Sequence, residues 1–133
     1  MQLIDTKDMA FVFGSNTEGR HGAGAAKAAL LHHGAIYGQG EGPMGDCYGL
    51  PTVGKKLSKM NLAQIRIHVM RFLEFTKKNP KIDFQVTQVG CGLAGHPTKE
   101  IAIMFKGAPS NCFFDLAWEP HLGMENYNYW GTF

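Results

Sequence analysis

Two glycine-rich segments contain the residue types best suited to hold a phosphate group. The first runs from Gly14 to Gly24 with the sequence Gly-Ser-Asn-Thr-Glu-Gly-Arg-His-Gly-Ala-Gly, and the second, Gly90 to Gly95, is Gly-Cys-Gly-Leu-Ala-Gly. Each follows a predicted strand and precedes a predicted helix. Such a turn presents unpaired backbone N–H groups and the positive end of the helix dipole, and both attract an anion. We therefore expect a phosphate-bearing ligand here.

Neither segment has a standard nucleotide-binding motif. The spacing of Gly19, Gly22 and Gly24 is not Gly-x-Gly-x-x-Gly, and no Gly-Lys-Ser/Thr follows as in a P-loop. Two such segments in one small domain are nevertheless more informative than one, because ligands of open α/β sheets bind at the carboxyl ends of strands. If the two strands are parallel neighbours, their loops face one crevice and could hold a diphosphate from two sides.

Three other residue types in these segments could act in catalysis. His21 could approach a phosphate or transfer a proton near neutral pH, or it could be an idle loop residue. Glu18 and Glu41 are the carboxylates of the glycine-rich segments; either could be a general base or a solvated loop acid. Cys91 would need a basic partner such as His96 or His21 to be a nucleophile, so a small buried thiol is the preferred interpretation.

The surrounding sequence predicts alternating strands and helices. Predicted strands cover 10–13, 35–37, 47–51, 83–89 and 111–116, with a glycine-rich loop at 38–45. Alanine-rich residues 22–33 predict a helix that ends at Gly34, and residues 61–78 and 97–106 predict two more. The order β-α-β-β-α-β-α-β predicts an α/β fold in three layers, with a mixed sheet flanked by helices.

The pair of motifs resembles the macro domain, an α/β module that binds ADP-ribose. Val12-Phe-Gly-Ser-Asn16 is similar to the family's first strand and asparagine, and Gly22-Ala-Gly24-Ala-Ala to its first loop. Gly90-Cys-Gly-Leu-Ala-Gly-His-Pro97 is similar to its second loop. The chain departs at Phe13, where the family has a second asparagine. It also resembles phage and bacterial proteins that share Phe-Gly-Ser-Asn, His-Gly-x-Gly-Ala-Ala, Tyr-Gly-Gln-Gly and Gly-Cys-Gly-Leu-Ala-Gly.

The resemblance implies a macro-domain-like fold that binds ADP-ribose or a related nucleotide diphosphate. Asn16 would orient the distal ribose or a water molecule, although it could also simply cap its turn. The predicted catalytic residues are Asn16, His21 and Glu41. The predicted ligand-binding residues are Gly14, Ser15, Asn16, Arg20, Gly22, Ala23, Gly24, Gly90, Cys91, Gly92, Leu93, Ala94 and Gly95.

Three functions remain open at this point. The domain could hydrolyse a bond on the distal ribose, as an ADP-ribosyl or ADP-ribose-phosphate hydrolase. It could instead bind the nucleotide without turnover, as a sensor or sponge. A third alternative is a protein–protein adaptor, for instance a phage accessory protein, that acts through its aromatic tail. Neither a cofactor nor a metal is predicted.

Length and composition limit the alternatives further. The 133 residues predict a single domain, and a formal charge of +2 without a basic stripe makes nucleic acid an improbable partner. Three scattered cysteines and the lack of an apolar signal core or membrane span predict a cytoplasmic protein with reduced thiols. The aromatic-rich tail, residues 118–133, has no period, and we expect it to pack on the domain or to form a homodimer.

Overall fold

The computed structural model describes residues 1–92 and 94–133, and it confirms an α/β fold with a mixed sheet. Six strands lie in the order β2-β3-β1-β4-β5-β6. All neighbours are parallel except β2, which pairs antiparallel with β3 at one edge. The strands are β1 (Ala10–Asn16), β2 (Gly42–Met44), β3 (Cys47–Val53), β4 (Phe84–Val86), β5 (Cys112–Asp115) and β6 (Asn128–Gly131).

Four α-helices connect these strands: α1 (Gly24–His32), α2 (Leu62–Lys78), α3 (Thr98–Ala102) and α4 (Glu119–Leu122). Three short 3-10 turns, Lys55–Leu57, Ile103–Phe105 and Leu116–Trp118, complete the connections. Asn61 caps α2: its side chain accepts from the Gln64 N–H, and the Gln64 side chain accepts in return from the Asn61 N–H. None of the helices in the described ranges is long and apolar enough to cross a membrane.

The alternation of β1 side chains separates two cores, one on each face of the sheet. Val12 is fully buried in the larger core with residues of α2, α3 and the later strands. Phe11 and Phe13 point the other way and pack with Ala26 and Ala29 of α1. Because both faces of this strand are covered by helices, its apolar run has no polar alternation, as expected for a central parallel strand. The fold therefore has three layers.

The position of β1 decides where the two glycine-rich segments meet. It pairs in parallel with β3 on one side and with β4 on the other, with Val12 opposite both Tyr48 and Val86. The segment after β1 and the segment after β4 consequently leave the sheet at the same edge. The predicted parallel neighbourhood of the two loops is confirmed.

Several predicted elements were wrong in detail. Residues 35–37 form a turn instead of a strand, because the Ala35 N–H turns back to the Ala29 carbonyl of α1. The predicted loop at 38–45 contains β2. The strand predicted over 83–89 ends at Val86. The Thr87 N–H still donates to the Val12 carbonyl at 3.2 Å, but the Val89 N–H turns back to the Thr87 carbonyl at 2.7 Å instead of continuing the pairing with β1.

The aromatic tail is a structured part of the domain. It contains α4 and β6, and Trp118, Tyr129 and Trp130 are buried. The Trp130 indole N–H donates to the Val86 carbonyl at 3.0 Å, which ties the tail to the centre of the sheet. These aromatic side chains pack on their own domain, one of the two outcomes expected from the sequence.

Candidate functional site

A cleft of about 790 Å³ opens at the carboxyl ends of β3, β1 and β4. Both glycine-rich segments line it, and so do residues that follow β3. The predicted ligand-binding residues that line it are Gly14, Ser15, Asn16, Arg20, Gly22, Ala23, Gly24, Gly90, Gly92 and Ala94. Cys91 and Gly95 do not line it, and Leu93 lies outside the described residues. The chain thus brings most of the predicted ligand-binding residues to one cleft.

Unpaired backbone donors are the main chemical feature of this cleft. Among the described residues, none accepts a hydrogen bond from the N–H groups of the five consecutive residues Gly22–Ala26, which form the start of α1. The same holds for the N–H groups of Gly90, Gly92 and Ala94 in the opposite segment. No side chain caps α1, whose first turn also contains no acidic residue. The two rows of N–H groups can therefore donate hydrogen bonds to an anionic ligand bound in the cleft.

Three of the glycines that line the cleft, Gly22, Gly24 and Gly92, have open space beside them. A Cβ atom added at Gly22, Gly24 or Gly92 would meet no atom within 4 Å. The two segments also touch at their bases, because a Cβ at Gly14 would lie 3.5 Å from the Gly90 nitrogen. Larger side chains at Gly22 or Gly92 would project into the space that a ligand needs.

Asn16 holds the first segment in shape. Its Oδ1 accepts from the Arg20 N–H and its Nδ2 donates to the Arg20 carbonyl, both at 2.8 Å. The side chain is nearly buried, although the residue lines the cleft. The hydroxyl of the neighbouring Ser15 donates to the Gly40 carbonyl. The Asn16 side chain therefore caps its own turn, in agreement with the simpler of the two sequence interpretations, whereas Ser15 joins the first segment to the loop that contains Gly40.

His21 is buried behind the cleft. Its Nε2 lies 3.0 Å from the carbonyl oxygens of both Ile36 and Gln39. Two carbonyl acceptors beside one nitrogen require that nitrogen to carry a proton, so Nε2 is the donor in both contacts. Nδ1 is buried and has no hydrogen-bond partner among the described residues. With an exposed fraction of 1% and no place in the cleft lining, His21 links the first segment to residues 36–39.

Glu41 belongs to a different surface. Its carboxylate contacts His68 Nδ1 at 2.7 Å and Arg71 at 3.0 Å, both on α2. Burial raises the pKa of Tyr48 to about 12, and the nearby Glu41 carboxylate contributes to this increase. Glu41 does not line the cleft. The catalytic role predicted for it would need a ligand that reaches beyond the described cleft.

Cys91 faces the protein interior beneath the second segment. Its thiol contacts the Val89 carbonyl at 3.5 Å and packs against the larger core. Burial raises the pKa of this thiol, an effect only partly offset by the nearby Thr98 and Trp118 side chains. A raised pKa keeps the thiol protonated and poorly nucleophilic at neutral pH. The thiol is thus half-buried, and the structure agrees with the preferred interpretation in that the thiol packs beneath the segment.

The end of β3 and the residues that follow it contribute a part of the cleft that the sequence did not indicate. Thr52, Lys56 and Leu57 line it, and Lys56 and Leu57 have φ values of 53° and 58°. They are the two residues other than glycine with positive φ in the described chain. Such strained backbone often occurs at ligand sites. The end of a parallel strand was a usable signal for Thr52, but no sequence pattern identified Leu57.

Exposed aromatic rings lie at two places in the cleft lining. Tyr37 and Phe133 have exposed fractions of 63% and 74%. By contrast, Phe114 and Trp118, near the end of β5, are fully buried in the core and offer no exposed ring. Any stacking of a base in this cleft would thus use Tyr37 or Phe133.

Comparison of the chain with protein-family models, with curated proteins and with solved structures gave no match. Among the described residues, no group of three or more His, Cys, Asp or Glu side chains is arranged to hold a metal ion. The function must therefore be argued from the cleft itself.

Proposed function

We propose that this domain binds a nucleotide diphosphate of the ADP-ribose class in the cleft between its two glycine-rich segments. The observation that carries the proposal is the pair of unpaired N–H rows, Gly22–Ala26 and Gly90, Gly92 and Ala94, on opposite sides of one cleft. Neutral backbone donors bind phosphate oxygens at fixed geometry, and the α1 dipole adds to the attraction.

The dimensions and the rim of the cleft support a nucleotide rather than free phosphate. A volume of about 790 Å³ is within the usual range for sites that bury a drug-sized ligand. Tyr37 and Phe133 offer exposed rings for a base, and Arg20 and Lys56 supply positive charge. The resemblance to the macro domain favours ADP-ribose within this class. A nucleotide ligand is consistent with a cytoplasmic protein, and so are the three cysteines, none of which forms a disulfide.

We propose binding as the function, with no step of turnover assigned. His21 is committed to two backbone carbonyls, Glu41 lies on another surface, and Asn16 is bonded to Arg20. Glu18 has the one acidic side chain among the described lining residues, and it accepts a hydrogen bond from the Lys56 N–H. A sensor or sponge uses the N–H rows without requiring any of these groups to transfer a proton.

Gly22→Val and Gly92→Val test the proposal by filling the cleft. Neither glycine has a positive φ, and an added Cβ meets no neighbour at either site, so the fold should survive. Gly24 is a poorer choice because its φ of +57° would strain a valine. We expect each variant to bind ADP-ribose at least tenfold more weakly, measured by titration calorimetry. Ala63→Val, on the exposed face of α2, is the matched control.

A thermal-shift screen provides the first measurement. ADP-ribose present at 100 times its Kd should stabilise the wild type by about 2.7 kcal/mol. AMP, ADP and NAD in the same screen define the ligand class. Wild-type affinity in both valine variants would contradict a diphosphate site in this cleft. An absence of any nucleotide effect on the wild type would exclude the proposed function altogether.

A further inference from the structure

Glu18 places a negative charge in a cleft whose other polar features attract anions. It lies on the first glycine-rich segment, four residues before Gly22, and it lines the cleft with about 30% of its side chain exposed. It is the single acidic side chain among the described lining residues, beside Arg20 and Lys56. A carboxylate here reduces the attraction for phosphate, so its presence needs a reason of its own.

One oxygen of the Glu18 carboxylate is held by a hydrogen bond, and the other is not. Oε1 accepts a hydrogen bond of 2.7 Å from the Lys56 N–H, which the left-handed backbone at Lys56 presents. Oε2 lies 3.8 Å from the Arg20 guanidinium, too far for a hydrogen bond, and has no donor among the described residues. One oxygen is thus positioned by the protein while the other remains available to a ligand.

We propose that Glu18 determines specificity, by selecting a ligand that carries sugar hydroxyls beyond its diphosphate and disfavouring one that ends in phosphate. This inference rests on the proposed function. The N–H rows would hold the diphosphate, and the next group along the first segment would meet Oε2. A ribose hydroxyl can donate to that oxygen in a charge-assisted hydrogen bond. A ligand that ends at the diphosphate gives Oε2 no such donor, and its terminal phosphate carries an additional negative charge close to the carboxylate.

The positive charges of Arg20 and Lys56 reduce the repulsion between Glu18 and a phosphate, but they do not remove the preference of Glu18 for a hydroxyl. Both are exposed at the rim, where solvent weakens their attraction for phosphate. The carboxylate oxygen, by contrast, is held at fixed geometry by the Lys56 N–H. A hydroxyl therefore gains a directed hydrogen bond at Oε2, which a phosphate cannot form.

ADP-ribose and ADP are the appropriate pair of probes, because they differ only in the distal ribose. Glu18→Gln keeps an amide oxygen that can accept from the Lys56 N–H, and it removes the charge. We expect this variant to bind ADP-ribose about tenfold more weakly, as for loss of a hydrogen bond to a charged group. ADP should bind about threefold more tightly, since a like charge has been removed. Glu74→Gln, on the exposed side of α2, is the matched control.

The opposite signs of the two changes identify a role in specificity. A purely structural role for Glu18 would weaken both ligands together, which would overturn the inference and leave the proposed function standing. Equal affinity of the wild type for ADP and ADP-ribose would also overturn it. If neither ligand binds the wild type, the proposed function fails as well.

Discussion

Gly22 and Gly92, beside the cleft, contrast with Gly40 and Gly49, where the middle loop (residues 38–45) meets β1 and β3. At Gly22 and Gly92 an added Cβ would enter open space. At Gly40 it would collide with the Asn16 carbonyl oxygen, and at Gly49, on the facing strand β3, it would lie 2.6 Å from the Gly40 carbonyl oxygen. The first pair leaves room for a ligand, whereas the second lets two stretches of backbone touch.

This difference shows that a dense glycine cluster can have two causes in one domain. Eleven of the 17 glycines lie between Gly14 and Gly54, and the sequence associates them with a nucleotide loop. Gly40 and Gly49 instead allow the middle loop to pack closely against the backbone of β1 and β3. Ser15 donates to Gly40, and His21 donates to Ile36 and Gln39, so the middle loop is bonded to the first segment.

The largest expected effect on stability comes from introducing the same side chain, alanine, in each of the two environments. Gly40→Ala should lower the free energy of unfolding by about 3 kcal/mol, because its methyl group would overlap the Asn16 carbonyl. Gly22→Ala should be neutral or stabilise by about 0.5 kcal/mol, since it only restricts the unfolded chain. Urea unfolding measures both values. Similar losses in the two variants would remove the distinction between packing and cleft glycines.

A smaller effect should arise where the two regions meet, at Asn16. Asn16→Ala removes both hydrogen bonds to the Arg20 backbone and should cost about 1 kcal/mol of stability. ADP-ribose affinity should fall as well, because the first segment loses the bonds that hold its shape. Asn16→Asp keeps the acceptor for the Arg20 N–H and should retain more of both properties. If the alanine variant keeps full stability and loses only turnover on an ADP-ribosyl substrate, the catalytic interpretation of Asn16 is the better one.

The smallest expected effect is a pH dependence confined to the packing region. Burial lowers the pKa of His33 below 6.5, helped by His32 and opposed by Asp46. His33 stacks on Phe11 with ring centroids 4.3 Å apart. Because the folded state disfavours the protonated ring, this contribution to stability is complete above pH 6.5. It is lost as the pH falls through 6.5 towards the folded-state pKa.

Urea unfolding at several pH values checks this contribution. The wild type should lose stability on acidification below pH 6.5. His33→Gln has no titrating ring at this position and should lose less. Equal pH dependence in the two proteins would show that His33 does not couple protonation to folding.

Local patterns predicted the elements that position the cleft. The apolar run of β1, the alanine-rich α1 and the Asn61 cap of α2 are all encoded by neighbouring residues, and all are present. Strands β2 and β6 were missed. Gly42 and Pro43 are poor strand formers, and the tail that contains β6 shows no alternation, so only pairing with a neighbour makes them strands.

The three-layer α/β class and the two glycine-rich segments at strand ends follow from the sequence alone, because strand and helix periodicity and turn composition are local properties. Tertiary structure decided which residues face the cleft. The strand order β3-β1-β4 joins the two segments and adds Lys56 and Leu57 to the cleft, while it leaves Glu41 against α2. Residues far apart in the chain make those contacts, so no local pattern could record them.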